Sequence, residues 1–342
     1  MENIRVKLNQ NSYDIVFDRL AKLGERVRPL VKGENVLVVT DDNVARFYLA
    51  AVKKSLEAQG FIVREMVVKN GEQSKTPATY LSIVNELAKN AFLREDTVVA
   101  LGGGVVGDMA GFAAATYMRG INLVQVPTSL LAMIDSSIGG KVGVDLPEGK
   151  NLLGAFYQPK LVFVDVDTLD TLPEAEWQNG LGEGLKYALL AGGRTFEIMD
   201  GNVKDNLEEF VVLCAEYKAR IVEADEKETG LRRLLNLGHT LGHAIEKKSG
   251  YVIPHGKAVR MGLALIIHAS KALGGDKNGL EKAEKLIEKY GEECPYQADE
   301  LLPLVKNDKK AESDSINAVL VKNIGECYVK KMAFADFERL FR

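Results

Sequence analysis

Short β-rich runs alternate with helix-length segments along the first half of this chain, and that alternation limits the fold more than any other feature. A parallel strand pair needs a crossover connection, which in most proteins is a helix. Thr76 and Pro77 suit the N-cap and the first position of one such helix. The β-rich runs lie at residues 35–40, 62–68, 97–101, 121–126 and 161–166. We therefore predict an α/β domain with a doubly wound, mostly parallel sheet and an edge hairpin at residues 4–17.

Helical periodicity replaces this alternation from about Glu174. The chain has 342 residues, more than the roughly 250–300 at which single cores stop growing, so two domains are expected. We predict the α/β domain at residues 1–172 and a mainly α-helical domain at residues 173–342. Within the second domain, helices are predicted at residues 174–191, 203–227, 230–248, 256–273 and 279–290, a β-rich run at 317–321 and a surface loop at 306–314.

Composition excludes several classes of protein. The net charge of −4 and the pI near 5.8 provide no broad cationic surface, so we expect no nucleic-acid partner. No run of ~18 apolar residues is present to span a membrane, and the polar start is unlike a signal peptide. The cysteines are widely spaced and form no CxxC pair, which favours a reducing cytoplasm over a disulfide framework or a cysteine zinc site (Cys214, Cys294 and Cys327).

Two loops of the α/β half suit an anionic ligand. The glycine-rich segment 102–108 follows a buried strand and precedes a predicted helix at 108–118, an arrangement that can cradle a nucleotide pyrophosphate. Its spacing is not that of the common dinucleotide fingerprint, and glycine-rich turns also occur without a ligand. Thr128 and Ser129 end the next strand, and glycine-flanked Lys141 and Lys150 follow. The alternative for both lysines is ordinary surface charge.

Three of the four histidines fall between residues 239 and 255. Five polar residues follow helical steps of four and three and would share one stripe of the helix at 230–248, which predicts a polar cavity (Arg232, Asn236, His239, His243 and Glu246). The alternative is a solvated face or hydrogen-bonded core histidines. His268 lies within an apolar helix and is interpreted as structural.

Two imidazoles and one carboxylate would make a zinc site with an open position. The spacing does not decide which two of His239, His243 and His255 bind a metal. Glu183 and Lys186 lie three residues apart on one predicted helix, where a surface ion pair is equally expected. Lys218, judged by its helix alone, is an ordinary lysine with an apolar stem and an exposed amine.

Taken together, these segments resemble the 3-dehydroquinate synthase family of sugar-phosphate cyclases. The resemblance covers most of the chain and rests on several long motifs in order (residues 70–75, 102–108, 127–132, 135–141, 149–154, 182–186, 236–246 and 255–256). It implies a dehydroquinate synthase-like fold, tightly bound NAD in the first domain, and a divalent metal and substrate in the second. Zinc is the expected metal and cobalt the alternative. The implied ligands are Glu183, His239 and His255, leaving His243 to face the substrate.

The resemblance also assigns roles to individual residues. The implied cofactor contacts are Asp41, Asn43, Gly71, Glu72, Lys75, Gly104, Val105, Val106, Gly107, Asp108, Thr128, Ser129, Lys141, Lys150, Thr168 and Thr171. The implied catalytic and substrate residues are Asp135, Lys141, Asn151, Lys186, Lys218, Arg232, Asn236, His243, either Lys309 or Lys310, and Arg119, the last contributed across a homodimer interface.

The implied reaction converts the small sugar phosphate 3-deoxy-D-arabino-heptulosonate 7-phosphate into 3-dehydroquinate and phosphate, a step of the shikimate pathway, with NAD regenerated in each turnover. The alternatives are another sugar-phosphate cyclase, a metal-dependent polyol or glycerol dehydrogenase, and a non-catalytic sensor. The chain departs from the family pattern at Lys257, where most relatives carry Glu, and in the acidic stretch after Lys310. Ser129 replaces the commoner Thr and keeps the hydroxyl.

Overall fold

The computed structural model describes residues 3–291, 293–308 and 314–341, and the chain forms two compact units. The first unit contains the chain up to Pro173 together with Lys218–Glu223, and the second contains the remainder. No helix in the described part of the chain combines the length and the apolar character needed to cross a bilayer.

The first unit is built on a seven-stranded sheet in the order β1-β2-β9-β6-β5-β3-β4. Only the edge pair β1–β2 is antiparallel, and the other neighbours run parallel. A separate antiparallel hairpin is formed by β7 and β8. The strands are β1 Ile4–Val6, β2 Tyr13–Phe17, β3 Asn35–Asp41, β4 Ile62–Val68, β5 Thr97–Gly102, β6 Asn122–Pro127, β7 Lys141–Leu146, β8 Gly149–Phe156 and β9 Leu161–Val164.

Short helices cover both faces of this sheet. The α-helices are α1 Leu23–Val27, α2 Asp42–Val44, α3 Ala50–Glu57, α4 Pro77–Lys89 and α5 Gly104–Thr116, with π-helical turns at Ala45–Leu49 and Ala132–Ser136. Turns of 3₁₀ helix occur at Asn9–Asn11, Leu20–Lys22, Arg28–Leu30, Glu72–Ser74, Tyr117–Arg119 and Val166–Thr171.

Strand β5 shows why the sheet is doubly wound. Its alternate side chains enter two different cores, Val98 and Ala100 on one face and Val99 and Leu101 on the other. A strand that is buried on both faces has apolar residues at successive positions, as residues 98–101 do in the sequence. The predicted fold class is confirmed for this half of the chain.

The second unit is mainly helical, with one two-stranded antiparallel sheet. Its α-helices are α6 Glu174–Ala191, α7 Gly193–Asp200, α8 Leu207–Ala224 (apart from Lys218–Glu223, which belong to the first unit), α9 His239–Lys248, α10 His255–Ala272, α11 Lys277–Tyr290, α12 Ala298–Asp308 and α13 Phe334–Arg339. The strands are β10 Ser315–Asn323 and β11 Glu326–Ala333, and 3₁₀ turns occur at Val203–Asn206 and Leu231–Asn236. Helix α10 packs against α6, α9 and α11.

Several element predictions were wrong in detail. Helix α5 begins at Gly104 rather than Asp108, so the glycine-rich segment forms its first turn. The hairpin β7–β8 was not predicted. Lys306 belongs to helix α12, whereas a surface loop was expected from that residue onward, and residues 309–313 lie outside the described part of the chain. His268 is exposed, so its interpretation as a buried structural residue was also wrong.

Candidate active site

The histidine-rich segment does not form the single helix that its spacing predicted. Leu231–Asn236 is a 3₁₀ helix, and α9 begins separately at His239. Between them Gly238 adopts a left-handed φ of +78°. Gly238 also packs closely on α10, because a Cβ atom built on it would lie 2.8 Å from Leu263 Cγ. The predicted stripe of five side chains is therefore wrong, and only its last three members lie together on α9 (His239, His243 and Glu246).

Three candidate metal ligands converge within the second unit. Glu183 Oε1, on α6, lies 3.2 Å from His239 Nε2 and 3.1 Å from His255 Nε2 at the start of α10. The outer nitrogen of each imidazole has its own partner. His239 Nδ1 donates to the Leu237 carbonyl at 3.2 Å, and His255 Nδ1 lies 3.3 Å from Glu246 Oε2. Each ring is therefore oriented with Nε2 toward Glu183.

This donor set fits a divalent cation. Ligands bound tetrahedrally at about 2.0–2.1 Å are separated by roughly 3.3 Å, close to the distances between Glu183 Oε1 and the two imidazole nitrogens. Carbonyl and carboxylate acceptors on the outer nitrogens are the usual supports of metal-binding histidines. Two nitrogens and one oxygen also leave a coordination position open, as in catalytic zinc sites. Glu246 supplies its carboxylate from α9.

The electrostatics of the cluster favour an ionised carboxylate. Glu183 and Lys186 are each 1% exposed, and Lys186 Nζ lies 2.6 Å from Glu183 Oε2. Burial opposes the charge, but Lys186 and the imidazole of His239 outweigh it and lower the pKa of Glu183 well below its usual range. Burial would also lower the pKa of His255, but its hydrogen bonds with Glu183 and Glu246 raise that pKa to about 10. A metal that binds His255 Nε2 therefore releases a proton.

His243 lies beside this cluster, but the Nε2–Glu183 Oε1 contact is made by His239 and His255. Its ring centroid is 5.5 Å from that of His239 and 6.0 Å from that of His255, and the residue is exposed. Of the three histidines that the sequence could not separate, His239 and His255 share the contact with Glu183. His243 is accordingly left with a ring that can meet a ligand.

Arg232 and Asn236 are organised by an acidic loop that the sequence analysis overlooked. Asp225 accepts hydrogen bonds from the backbone N–H groups of Thr229 at 2.9 Å, Gly230 at 2.7 Å and Arg232 at 3.0 Å. Partial burial opposes the charge of Asp225, but these donors lower its pKa to about 2. The carboxylate therefore stays ionised and fixes the turn that leads into residues 231–236.

Two further acidic residues of this loop hold the predicted substrate side chains themselves. Asn236 Nδ2 donates to Glu228 Oε1 at 2.5 Å, and the buried Arg232 guanidinium donates to the Glu226 carbonyl. Glu228 adopts φ +60°, an uncommon conformation for a residue other than glycine. The acidic side chains of Asp225 and Glu228 were the available sequence signal for this arrangement, whereas Glu226 takes part through its backbone carbonyl.

In the first unit, the start of α5 offers free backbone donors. Its N-cap, Gly103, provides no side-chain cap, so the first-turn N–H groups of Gly104, Val105 and Val106 point to a ligand or solvent. Close packing explains the glycine at 107, where a Cβ atom would lie 2.8 Å from Gln125 Oε1. Thr128 N–H donates to the Gly102 carbonyl at 3.0 Å, and Ser129 Oγ would be 3.4 Å from a Cβ on Gly103. This arrangement fits a nucleotide pyrophosphate.

A polar cluster connects this helix start with the β7–β8 hairpin. The buried Lys75 places Nζ 2.6 Å from Asp108 Oδ2 and donates to Asn151 Oδ1 at 2.5 Å. Burial alone would lower the pKa of Lys75, but the Asp108 and Glu72 carboxylates raise it. Lys150 Nζ in turn lies 3.4 Å from Glu72 Oε1. Predicted cofactor residues and the predicted substrate residue Asn151 are thus brought together.

The other predicted cofactor residues occupy two loops of the first unit. Asp41 caps α2 by accepting hydrogen bonds from the N–H of Asn43 at 2.8 Å and that of Val44. Burial raises the pKa of Asp41, although these donors oppose the shift. Tyr48 donates to the Thr168 carbonyl at 3.0 Å, and its oxygen lies 2.7 Å from Thr171 Oγ1. Gly71, with φ +93°, precedes the turn that carries Glu72.

Lys218 is not the exposed lysine that its helix alone suggested. The residue is 5% exposed and belongs to the first unit, where its amine donates to the Asp135 carbonyl at 2.6 Å and pairs with the Asp135 carboxylate. Arg119 and Lys141 are exposed, and Arg119 adopts φ +64° at the end of the turn Tyr117–Arg119. Lys309 and Lys310 lie outside the described residues.

The sequence matches the models of two domains, 3-dehydroquinate synthase N-terminal at residues 65–179 and 3-dehydroquinate synthase C-terminal at residues 180–311. The chain is 43% identical to the 3-dehydroquinate synthase of Clostridium acetobutylicum, over 100% of this chain and 99% of that protein. It is also 43% identical to the enzyme of the same name from Pelobacter propionicus, over 96% of both chains.

Several solved structures share the fold. A 2-deoxy-scyllo-inosose synthase complexed with carbaglucose-6-phosphate, NAD+ and Co2+ is similar, with a TM-score of 0.87, 23% identity and coverage of 100% of this chain and 99% of that one. The 2-epi-5-epi-valiolone synthase of Streptomyces hygroscopicus, with NAD+ and Zn2+ bound, has a TM-score of 0.84 at 24% identity, with coverage of 98% and 97%. An iron-containing alcohol dehydrogenase is more distant, with a TM-score of 0.64 at 18% identity and 96% coverage of each chain.

Proposed function

Since the chain belongs to the 3-dehydroquinate synthase family, we propose that it converts 3-deoxy-D-arabino-heptulosonate 7-phosphate into 3-dehydroquinate and inorganic phosphate. The observation that carries this proposal is the convergence of Glu183, His239 and His255, with both rings held from their outer nitrogens. An NAD-dependent cyclase needs such a cation site, and a purely structural helix face does not.

Zinc is the proposed metal, with cobalt as the alternative. Two imidazoles and one carboxylate suit either ion, and similar cyclases have been solved with Co2+ and with Zn2+. When bound, the metal polarises a substrate oxygen, and NAD takes up and returns a hydride. Glu183, His239 and His255 would hold the metal, and the ionised state of Glu183 lowers the cost of placing a dication there.

The remaining residues of the second unit would bind and orient the substrate. His243 has an exposed ring beside the metal ligands, which suits proton transfer to or from a bound sugar. Lys186 would position Glu183 and contribute positive charge. Arg232 suits an anionic group, because a guanidinium forms two parallel hydrogen bonds with a carboxylate. Asn236 suits a hydroxyl group, because an amide can both donate and accept a hydrogen bond. Lys309 or Lys310 would contact phosphate.

In the first unit, α5 would bind the pyrophosphate of NAD with its free N–H groups. The residues proposed to surround the cofactor are Asp41, Asn43, Gly71, Glu72, Lys75, Gly104, Val105, Val106, Gly107, Asp108, Thr128, Ser129, Lys141, Lys150, Thr168 and Thr171. Asp135, Lys141, Asn151 and Lys218 would serve the substrate. The Asp135–Lys218 pair is suited to holding a proton at a fixed place, because the buried Lys218 amine contacts both the carbonyl and the carboxylate of Asp135.

The proposal includes a cytoplasmic homodimer. Apolar side chains are exposed on β8, with Leu152 61% and Phe156 44% exposed, and at Met118, next to Arg119. Tyr157 joins these two segments by donating to the Ile121 carbonyl at 2.6 Å. Covering this surface with a second copy would bring Arg119 toward the partner. The free thiols of Cys214, Cys294 and Cys327 suit a reducing compartment.

The deciding experiment incubates the purified protein with zinc, NAD and the seven-carbon sugar phosphate. Inorganic phosphate and absorbance at 340 nm are followed together. We expect phosphate release with no net accumulation of NADH. Net NADH from a polyol such as glycerol, without phosphate release, would indicate a dehydrogenase instead. Turnover of a different sugar phosphate to the exclusion of this one would indicate another cyclase. Glu183→Gln serves as the control, since it removes one proposed ligand at nearly constant size.

A further inference from the structure

Helix α10 carries the metal ligand His255 at its first position, yet it has no local cap. Its N-cap residue is Pro254, which offers no side-chain acceptor. The N–H of Gly256 is instead donated to Asn179 Oδ1, on α6, at 2.6 Å. A residue of one helix therefore caps another helix, 77 positions later in the chain. Each of the two helices bears one of the converging ligands.

We propose that Asn179 is a positioning residue of the metal centre, which caps α10 from α6 and so sets His255 against Glu183. This inference rests on the proposed metal site. Asn179 does not touch the cation or the substrate in this role. It acts through the backbone of the residue that follows His255.

The packing around this bond leaves the two helices little freedom. A Cβ atom on Gly256 would lie 1.8 Å from the Asn179 carbonyl oxygen, and one on Gly182 would lie 2.1 Å from the Gly256 carbonyl oxygen. Backbone thus meets backbone at the crossing, immediately beside both ligands. The separation of Glu183 Oε1 and His255 Nε2, 3.1 Å, depends on this crossing.

The orientation of the Asn179 amide is itself supported. Its Nδ2 donates to Glu176 Oε2 at 3.3 Å, one turn earlier on α6, and this leaves Oδ1 as the atom facing α10. The neighbouring Gln178 makes a second connection, since Arg260 Nη1 lies 3.4 Å from its Oε1. The first two turns of α10 are therefore each connected to α6, and the Asn179 bond is the connection adjacent to His255.

The test measures zinc affinity of the apoprotein by competition with a chromophoric chelator. Asn179→Ala removes the acceptor and leaves the Gly256 N–H without its partner, so the first turn of α10 frays. We expect the zinc dissociation constant to rise by about 10- to 100-fold, the usual effect of losing a support of a metal ligand. Asn179→Asp keeps an acceptor for the Gly256 N–H but would set a second carboxylate against Glu176, so it is combined with Glu176→Gln, whose amide restores a donor. This double variant should remain within about threefold of wild type.

A matched control separates positioning from general loss of stability. Asp276 caps α11 in the same unit by accepting from the Gly279 N–H at 2.7 Å, and it is not among the proposed metal ligands or their supports. Asp276→Ala and Asn179→Ala each remove one helix cap and should lower the melting temperature by a similar amount, about 2–4 °C. Only Asn179→Ala should weaken zinc binding and alter the visible spectrum of the cobalt-substituted protein.

The outcomes are distinct. If the wild-type protein binds neither zinc nor cobalt, the proposed metal site itself is refuted. Wild-type binding together with unchanged affinity in Asn179→Ala would overturn the inference and leave the proposed function standing. Equal loss of affinity in Asp276→Ala would also overturn it. If Asn179→Ala does not fold, Asn179→Gln takes its place, because it moves the acceptor by one methylene and should still weaken zinc binding by at least threefold.

Discussion

Adding one methyl group at Gly256 should disable the metal centre. A Cβ atom there would lie 1.8 Å from the backbone oxygen of Asn179, whereas contacts shorter than 3.0 Å essentially never occur and ordinary contact begins at 3.4 Å. The two helices must therefore separate by about 1.2–1.6 Å, because a backbone carbonyl cannot rotate away as a side chain can. Zinc ligands tolerate distance errors of only about 0.2 Å. The required movement is at least six times larger.

The expected effect of Gly256→Ala can be stated for two measurements. Loss of one of three protein ligands should weaken zinc binding by more than ~100-fold, beyond the range seen when only a supporting group is lost. Overpacking should also destabilise the fold by about 1–3 kcal/mol. At a zinc concentration of 100 times the wild-type dissociation constant, wild-type protein gains about 2.7 kcal/mol from binding, and the variant should gain almost none. Thermal melts with and without zinc measure this difference.

The control for this prediction is Gly184→Ala. Gly184 follows Glu183 on α6, but a Cβ atom there would lie 3.0 Å from Phe210 Cζ, a side-chain atom rather than backbone, so a shift of a few tenths of an ångström relieves the contact. This variant should bind zinc nearly as wild type does. Retention of wild-type affinity and one-to-one stoichiometry in Gly256→Ala would refute the argument that the helix crossing fixes the ligand geometry.

Four further outcomes are expected. Glu183→Gln should lower the zinc content of the purified protein, and unchanged content by elemental analysis would exclude its role as a ligand. His243→Ala should keep the metal and lose turnover by about 100-fold or more; loss of its zinc as well would show that the assignment among the histidines is wrong. Inactive Arg119→Ala and Lys186→Ala chains, mixed after unfolding, should regain part of the phosphate-releasing activity if the arginine crosses a dimer interface, and no recovery would count against that arrangement. The pKa of Asp225 is lowered from 3.8 to about 2, so its contribution to stability is complete above pH 4 and disappears as the pH falls through 2. The free energies of unfolding of wild type and Asp225→Asn, measured in urea, should therefore differ at pH 7 and converge near pH 2. A difference that stays constant with pH would contradict this account.

The parallel sheet could be predicted from the sequence because its signals are local. Residues 98–101 form a continuous apolar run, and β5 is buried on both faces. Thr76 caps α4 with its own side chain, 3.2 Å from the Thr79 N–H, and Pro77 occupies the first helical position, as the dipeptide indicated. In both cases the determining contacts lie within the element itself.

The break at Gly238 could not be predicted in the same way. The helical spacing of polar residues continues through it, so periodicity alone favours one helix. The actual cause is tertiary: a Cβ on Gly262 of α10 would lie 2.1 Å from the Gly238 carbonyl oxygen, and a regular helix at that point would not allow this approach. The β7–β8 hairpin was missed for a related reason. Its glycines at 143 and 154 face each other's backbones, and in the sequence they resemble loop residues.

The residue types of the proposed metal ligands were visible in the sequence, but the choice among the histidines was not. Spacing left three histidines equivalent, whereas the structure separates them by which ring contacts Glu183. Lys218 shows the same limit, because an amphipathic helix does not reveal that its amine is buried against Asp135. Such distinctions depend on residues 72 or 83 positions apart in the chain.

The cap on α10 extends this reasoning from ligands to the backbone that carries them. A helix that starts after proline lacks the local side-chain acceptor that α2, α4 and α11 have, so its first turn is a weak point. Placing a metal ligand there is workable only if another element supplies the acceptor. Asn179 does so from the helix that carries Glu183, so the bond that stabilises the helix start also fixes the distance between two ligands. One hydrogen bond therefore contributes both to the stability of the helix start and to the metal geometry, and weakening it should affect both at once.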